Sequence, residues 1–229
     1  MEQYFYLAWA LGFLSLWLIL FFLRKDTRKE MLLISGFFGF GGLASEATYV
    51  RDWWQPLTLT NTSIGVEDFI IGFAIGGVAA VIYEELYHRR LRRYALKRTA
   101  PSDPGFFLLI FPILYLSAFF LLHVNSFYST ALVLSALTVY MLITRRDLII
   151  DSLVSGVAMT VIGIGMYLLL LLINPNFIQD HWYLPDAWYA KELAGIPLGE
   201  YIWYFLVGAY IGPLYEYLKR FKFARVRRN

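Results

Sequence analysis

The chain has no cysteine, which excludes disulfides, thiolate metal sites and thiol nucleophiles. Histidine is nearly as scarce. His88, His123 and His181 are scattered without ligand spacing and read as interfacial residues rather than metal ligands. Charged residues make up only 16% of the sequence, against about a quarter in soluble domains. No cofactor-binding motif is found. Gly39-Phe40-Gly41-Gly42-Leu43-Ala44 has the look of a dinucleotide fingerprint, but it lies inside an apolar run with no strand before it. Its glycines read as helix-packing positions. The last apolar run holds no lysine between Tyr201 and Leu218, which removes the Schiff-base attachment of a retinal photoreceptor. Helices broken by glycine or proline at matching positions, the mark of many transporters, are also lacking, since Val81 stands where Pro213 has its counterpart.

What the chain has is apolar length. Hydrophobic residues make up 59% and come in long blocks, where about 20 residues suffice to cross a bilayer. Spans are expected near 4–23, 31–50, 67–87, 104–122, 127–144, 148–173 and 201–218. The pattern predicts an all-α integral membrane protein with seven transmembrane helices. The first block is too long and aromatic for a signal peptide, and no small-residue cleavage site precedes Arg24 and Lys25. Of the 20 basic residues, all but Arg51 and Lys191 fall on one side of these spans. The inside bias of lysine and arginine therefore predicts a multi-pass cell-membrane protein with its N-terminus outside and its C-terminus cytoplasmic. A net charge of +3 would suit nucleic acid, but the basic runs at 88–93 and 225–228 flank spans, where they anchor topology and attract anionic lipid. Membrane lipid, not nucleic acid, is the expected partner of these runs.

One signature occurs twice. Gly65-Val66-Glu67-Asp68-Phe69 leads through Gly76 to Tyr83-Glu84, and Pro197-Leu198-Gly199-Glu200-Tyr201 leads through Gly208 to Tyr215-Glu216, at a constant offset of 132 residues. Arg28-Lys29-Glu30 resembles Arg145-Arg146-Asp147, and Arg51-Asp52-Trp53-Trp54 resembles Gln179-Asp180-His181-Trp182. Two parallel three-helix repeats joined by a bridging helix are expected: 1–98, the bridge at 99–126, and 127–229 with a basic tail. Gly72, Gly76 and Ala80, like Gly208 and Gly212, recur every four residues and mark strips for close helix contact.

Acids inside such a protein need a reason. Glu67, Asp68 and Glu200 begin helices, where carboxylates ordinarily satisfy free amides and meet the helix dipole. Glu46 lies about a turn from the outer end of the second helix among small and apolar residues, and is expected to face the interior. Brought together near the outer boundary, such acids favour a protonated member and hence a proton donor. Glu67, Asp68, Glu200 and Glu46 are the candidate catalytic residues. Trp53 and Trp54, beside Asp52, read either as an interfacial belt or as ring faces for a cation. With Phe69 and Tyr201, which follow Asp68 and Glu200, they are the candidate substrate-binding residues. Trp182, Tyr183, Trp188 and Tyr189 read as belt. Glu84, Glu85 and Glu216 precede Arg89, Arg90, Lys219 and Arg220 and are expected to form local ion pairs. Asp68 and Glu84 are about 24 Å apart along one helix, too far to share a small site.

The acid motif opening each third helix, with the following Tyr83-Glu84-Glu85 and Leu214-Tyr215-Glu216, resembles the non-flavin lycopene cyclases, whose two related domains occur as separate subunits or fused. The family's pattern is a proline, an apolar residue and two acids. Gly65 departs from it in the first copy, and Gly199 replaces the first acid of the second. The resemblance implies a divergent, fused member that cyclises the ends of a linear carotenoid by protonation, cation cyclisation and loss of a ring proton, without net redox change or cofactor. The departures imply either that the first copy supplies the chemistry with the second as scaffold, or that the chain is a divergent relative with another substrate or no catalysis. The alternative is a non-catalytic, cyclase-like protein that binds an isoprenoid or lipid.

Overall fold

Long apolar runs become helices here because a lipid-exposed backbone must satisfy its amides within its own segment. The computed structural model describes residues 3–93 and 104–225. The expected boundary at 98/99 and the basic residues Lys97, Arg98, Arg227 and Arg228 lie outside them. The described chain is almost all helix: α1 (Gln3–Leu23), α2 (Arg28–Asp52), α3 (Val66–Tyr87), α4 (Pro104–Leu116), α5 (Ser126–Thr144), α6 (Ile149–Ile173), α7 (Phe177–His181), α8 (Leu198–Ile211) and α9 (Leu214–Lys219).

Among the described residues, five helices are long and apolar enough to cross a membrane: Tyr4–Leu23, Arg28–Asp52, Val66–Tyr87, Ser126–Thr144 and Arg146–Ile173. The other two expected spans are made of shorter pieces. The segment expected at 104–122 is α4 followed by a π-helical turn, Ser117–Leu121. The segment expected at 201–218 is α8 and α9, separated at Gly212 and Pro213, where proline has no amide to continue the ladder.

Glycine sets the closest contacts. α2 packs along α3, and α6 along α8. A Cβ at Gly72 would stand 3.1 Å from the Gly42 Cα, and one at Gly208 2.9 Å from the Gly156 Cα, so in each pair backbone meets backbone with no room for a methyl group. α1 lies against α3, and its buried face of Tyr6, Trp9, Phe13, Trp17 and Leu20 also meets α6 and α8, through Trp9 on Tyr167 and Phe13 on Tyr204. Large apolar side chains such as Phe40, Leu172 and Ile173 are strongly exposed. An outward apolar surface of this kind suits lipid rather than water.

Two backbone junctions tie the ends of the bundle. At one end, His88 (φ 48°) and Arg220 (φ 57°) close α3 and α9 in the left-handed conformation, turning the chain into β1 (Arg89–Arg93) and β4 (Phe221–Arg225). These strands pair antiparallel with Leu91 opposite Phe223. At the other end, Trp54 and Trp182 form an isolated antiparallel bridge. The Gln55 amide donates to the His181 carbonyl at 2.7 Å, and the Tyr183 amide to the Trp53 carbonyl at 2.8 Å. A short hairpin, β2 (Glu192–Leu193) and β3 (Ile196–Pro197), leads into α8.

Candidate active site

The site is built from helix starts and an inter-helix seam at the Trp54–Trp182 end. Asp68 occupies the first turn of α3. Its Oδ2 accepts the Gly65 amide at 2.7 Å, capping the helix, while its Oδ1 accepts the hydroxyl of Tyr6 from α1. Glu200 occupies the first turn of α8. Its Oε1 accepts the indole N–H groups of both Trp53 and Trp182 at 2.9 Å, and its Oε2 the hydroxyl of Tyr167 from α6 at 2.8 Å. Glu46, on α2, is 3% exposed, and its Oε1 has no hydrogen-bond partner.

These three acids line one cavity of about 410 Å³ together with Tyr6, Trp53 and Trp54. Its remaining wall is mainly apolar and aromatic. Trp54 packs edge-on to Tyr6 at 5.1 Å between ring centroids and lies 4.9 Å from Trp182, and Trp9 lies 4.8 Å from Tyr167. One side of the wall is formed by Gly41 and Ala44 of α2 and Pro112 and Leu116 of α4. Gly41, Ala44 and Leu116 are exposed, so the cavity opens sideways through the bundle. Tyr115, which also lines the cavity, shares a hydrogen bond with the Thr48 hydroxyl of α2.

Not every candidate from the sequence reaches this cavity. Glu67 is fully buried, but its Oε1 accepts the Leu59 amide at 2.7 Å and braces the 58–65 loop. Phe69 packs on Phe73 and Phe40. Tyr201 donates to the Leu193 carbonyl at 2.9 Å, steadying the hairpin. None of the three lines the cavity. The aromatic residues of the loops divide: Trp53 and Trp182 are buried, whereas Tyr183 and Trp188 are exposed in the manner of a belt. Sequence reasoning misses three donors of the site, namely Tyr6, Tyr167 and Trp182. Tyr167 has a legible signal, as the single tyrosine in the apolar run of α6, where a buried phenol needs a partner.

Glu84 and Glu216 depart from the ion pairs expected of them. Both are buried at the far end of the bundle, with carboxyl oxygens turned inward. Glu85 does meet a cation, but it is Arg24, at 3.6 Å.

Comparison with known families bears on the second half of the chain. Residues 125–218 match the family model described as lycopene cyclase. The resemblance read from the sequence is thus found on α5 through α9, a stretch shorter than half of the chain. Tyr167, Trp182 and Glu200 lie on the matched stretch, while Tyr6, Glu46, Trp53, Trp54 and Asp68 come from outside it. No curated protein and no solved structure matches the chain.

Proposed function

We propose that the protein is a carotenoid end-group cyclase that works by protonation and cation cyclisation. The observation that carries the reading is the convergence of Glu46, Asp68 and Glu200 with aromatic ring faces on one cavity open to the side of the bundle. The three acids stand in different settings, and their roles follow from that difference. Glu46 has an oxygen with no donor, and a buried carboxyl that lacks donors is less costly uncharged than ionised; it donates the proton to the terminal double bond. The internal alkene then attacks the resulting cation and closes the ring. Glu200, held by two indoles and a phenol, is a carboxylate fixed in place before the reaction, which is the arrangement that stabilises developing positive charge. The faces of Trp54, Trp182 and Tyr6 add to it. Asp68, oriented by Tyr6 and Gly65, accepts the ring proton, so one proton enters and one leaves with no net redox change. The cavity volume lies within the ~300–1,000 Å³ usual for small ligands. It suits the end of a long polyene whose remainder lies along the lipid-facing opening.

The chain is read as seven spans with the N-terminus outside and the C-terminus cytoplasmic, the two halves being related by a pseudo-twofold axis along the bundle. Supporting this, Arg24 pairs with Asp26 and donates to the Glu84 carbonyl at 2.8 Å. Arg145 likewise pairs with Asp147 and donates to the Glu216 carbonyl at 3.4 Å. The match sets Arg24-Lys25-Asp26 against Arg145-Arg146-Asp147, one helical turn before the alignment that starts at Arg28. The domain division at 1–98, 99–126 and 127–229 belongs to the same reading.

Expression in cells that accumulate lycopene tests the function. Cyclic-ended pigment is expected. Unchanged lycopene, with the protein folded in the membrane, would overturn it, and recovery of a bound, unaltered isoprenoid in that case would favour the non-catalytic alternative.

A further inference from the structure

The Tyr-Glu pairs that end α3 and begin α9 have no part in the proposed chemistry, yet their acids are among the most buried residues of the protein. Glu84 is 1% exposed and Glu216 0%, and Glu30 from the first turn of α2 joins them at 1%. Each contributes a carboxyl oxygen to one group in which all lie within 4.8 Å of one another. Both carboxyl oxygens of Glu30, both of Glu216 and Oε1 of Glu84 are buried without a hydrogen-bond partner. Asp151, from the first turn of α6, stands close by at 2% exposure. Its Oδ1 accepts the Ser155 hydroxyl at 3.1 Å, and its Oδ2 has no partner. The neighbouring guanidinium groups are engaged at the rim. Arg24 binds Asp26, Glu85 and the backbone carbonyl of Glu84, and Arg145 binds Asp147 and the backbone carbonyl of Glu216.

Buried carboxyls are retained when they are paired, hydrogen-bonded or bound to a metal, and the orphaned oxygens here converge on a common point. We propose that Glu30, Glu84 and Glu216 bind one hard divalent cation at the end of the bundle opposite the cavity, with Asp151 beside them. Oxygen ligands around an ion at ~2.1–2.4 Å lie about 3 Å apart when adjacent and up to ~4.8 Å when opposed, which fits the observed group. An all-carboxylate donor set selects calcium, magnesium or manganese over the softer metals. Magnesium dehydrates reluctantly and usually keeps several waters, so a buried all-carboxylate site favours calcium or manganese over it. The ion would join α2, α3 and α9, and so clamp the two halves of the chain. The proposal is independent of the cyclase reading, and its test does not use activity.

The full chain, purified in detergent and stripped with chelator, is titrated with calcium, manganese and magnesium by calorimetry, and its thermal unfolding is followed with and without each ion. One equivalent of calcium or manganese is expected to bind and to raise the unfolding midpoint. Glu216→Gln and Glu30→Gln are each expected to weaken binding at least tenfold, while Glu85→Gln, which lies off the group, binds as the unaltered chain does. Should either cluster variant fail to fold, the titration of the unaltered chain decides. Absence of binding to that folded chain would overturn the proposal, and so would binding that persists undiminished in the variants. In either case protons shared among the carboxyls would take the place of the ion.

Discussion

The indole of Trp53, at the C-terminal end of α2, donates to the carboxylate of Glu200 in the first turn of α8 at 2.9 Å, across 147 residues of sequence. This bond makes the acid of the second half dependent on a side chain of the first. The cavity therefore has a composite wall, and each of its acids answers to a different test.

Replacing Trp53 with Phe keeps an aromatic ring but removes one of three donors to Glu200. Hydrogen bonds to charged groups contribute about 1.5–3 kcal/mol. Cyclisation is expected to fall by roughly tenfold or more, a factor of ten being about 1.4 kcal/mol. The rate of pigment conversion in membranes, normalised to folded protein, measures it.

Glu46→Gln removes the proposed proton donor while retaining shape. General acids contribute about 10²–10⁴-fold, so conversion is expected to drop by at least two orders of magnitude while the variant still copurifies with the isoprenoid. Retention of near-normal conversion in Glu46→Gln would move the donor to Asp68.

Glu67→Gln and Asp68→Asn separate neighbours that look alike in sequence. In Glu67→Gln the new side-chain amide oxygen can still accept the Leu59 N–H that Glu67 accepts, so activity is expected to stay within a few-fold. Asp68→Asn sits at the cavity and should abolish conversion. Parallel assays of the two variants check the contrast, and equal losses would contradict the placement of Glu67 outside the site.

Gly72→Ala would drive a methyl group into the Phe38 carbonyl oxygen and to 3.1 Å from the Gly42 Cα. Overpacking of this kind costs about 1–3 kcal/mol, visible as a lower unfolding midpoint in detergent. Gly36→Ala meets nothing within 4 Å and gains up to ~1 kcal/mol of helix propensity, so it should be neutral or stabilising.

Much of the fold was legible because it depends on residues near one another in the chain. The expected 67–87 helix is α3 at 66–87, and the expected 127–144 helix is α5 at 126–144, since apolar length and helix-start residues are local properties. Gly72 and Gly208 announced close helix contacts by their spacing, and both make them. The segment expected at 201–218 differed because a count of apolar residues passes over Pro213, which ends α8. The site was half legible. Glu46, Asp68, Glu200, Trp53 and Trp54 do line the cavity, while Glu67, Phe69 and Tyr201 serve loop, packing and hairpin.

The sequence by itself determined that this is an all-helical protein with spans long enough for a membrane, and which of its acids are out of place in apolar surroundings. Only the tertiary structure decided where those acids point. Glu67 and Asp68 are adjacent, but successive residues turn about 100° around a helix, so one faces the 58–65 loop and the other the cavity. Glu84 and Glu216 stand at equivalent ends of the doubled signature, but nothing in the sequence marks their meeting with Glu30. The meeting arises from the docking of α2, α3 and α9, a relation among distant segments that no local pattern encodes.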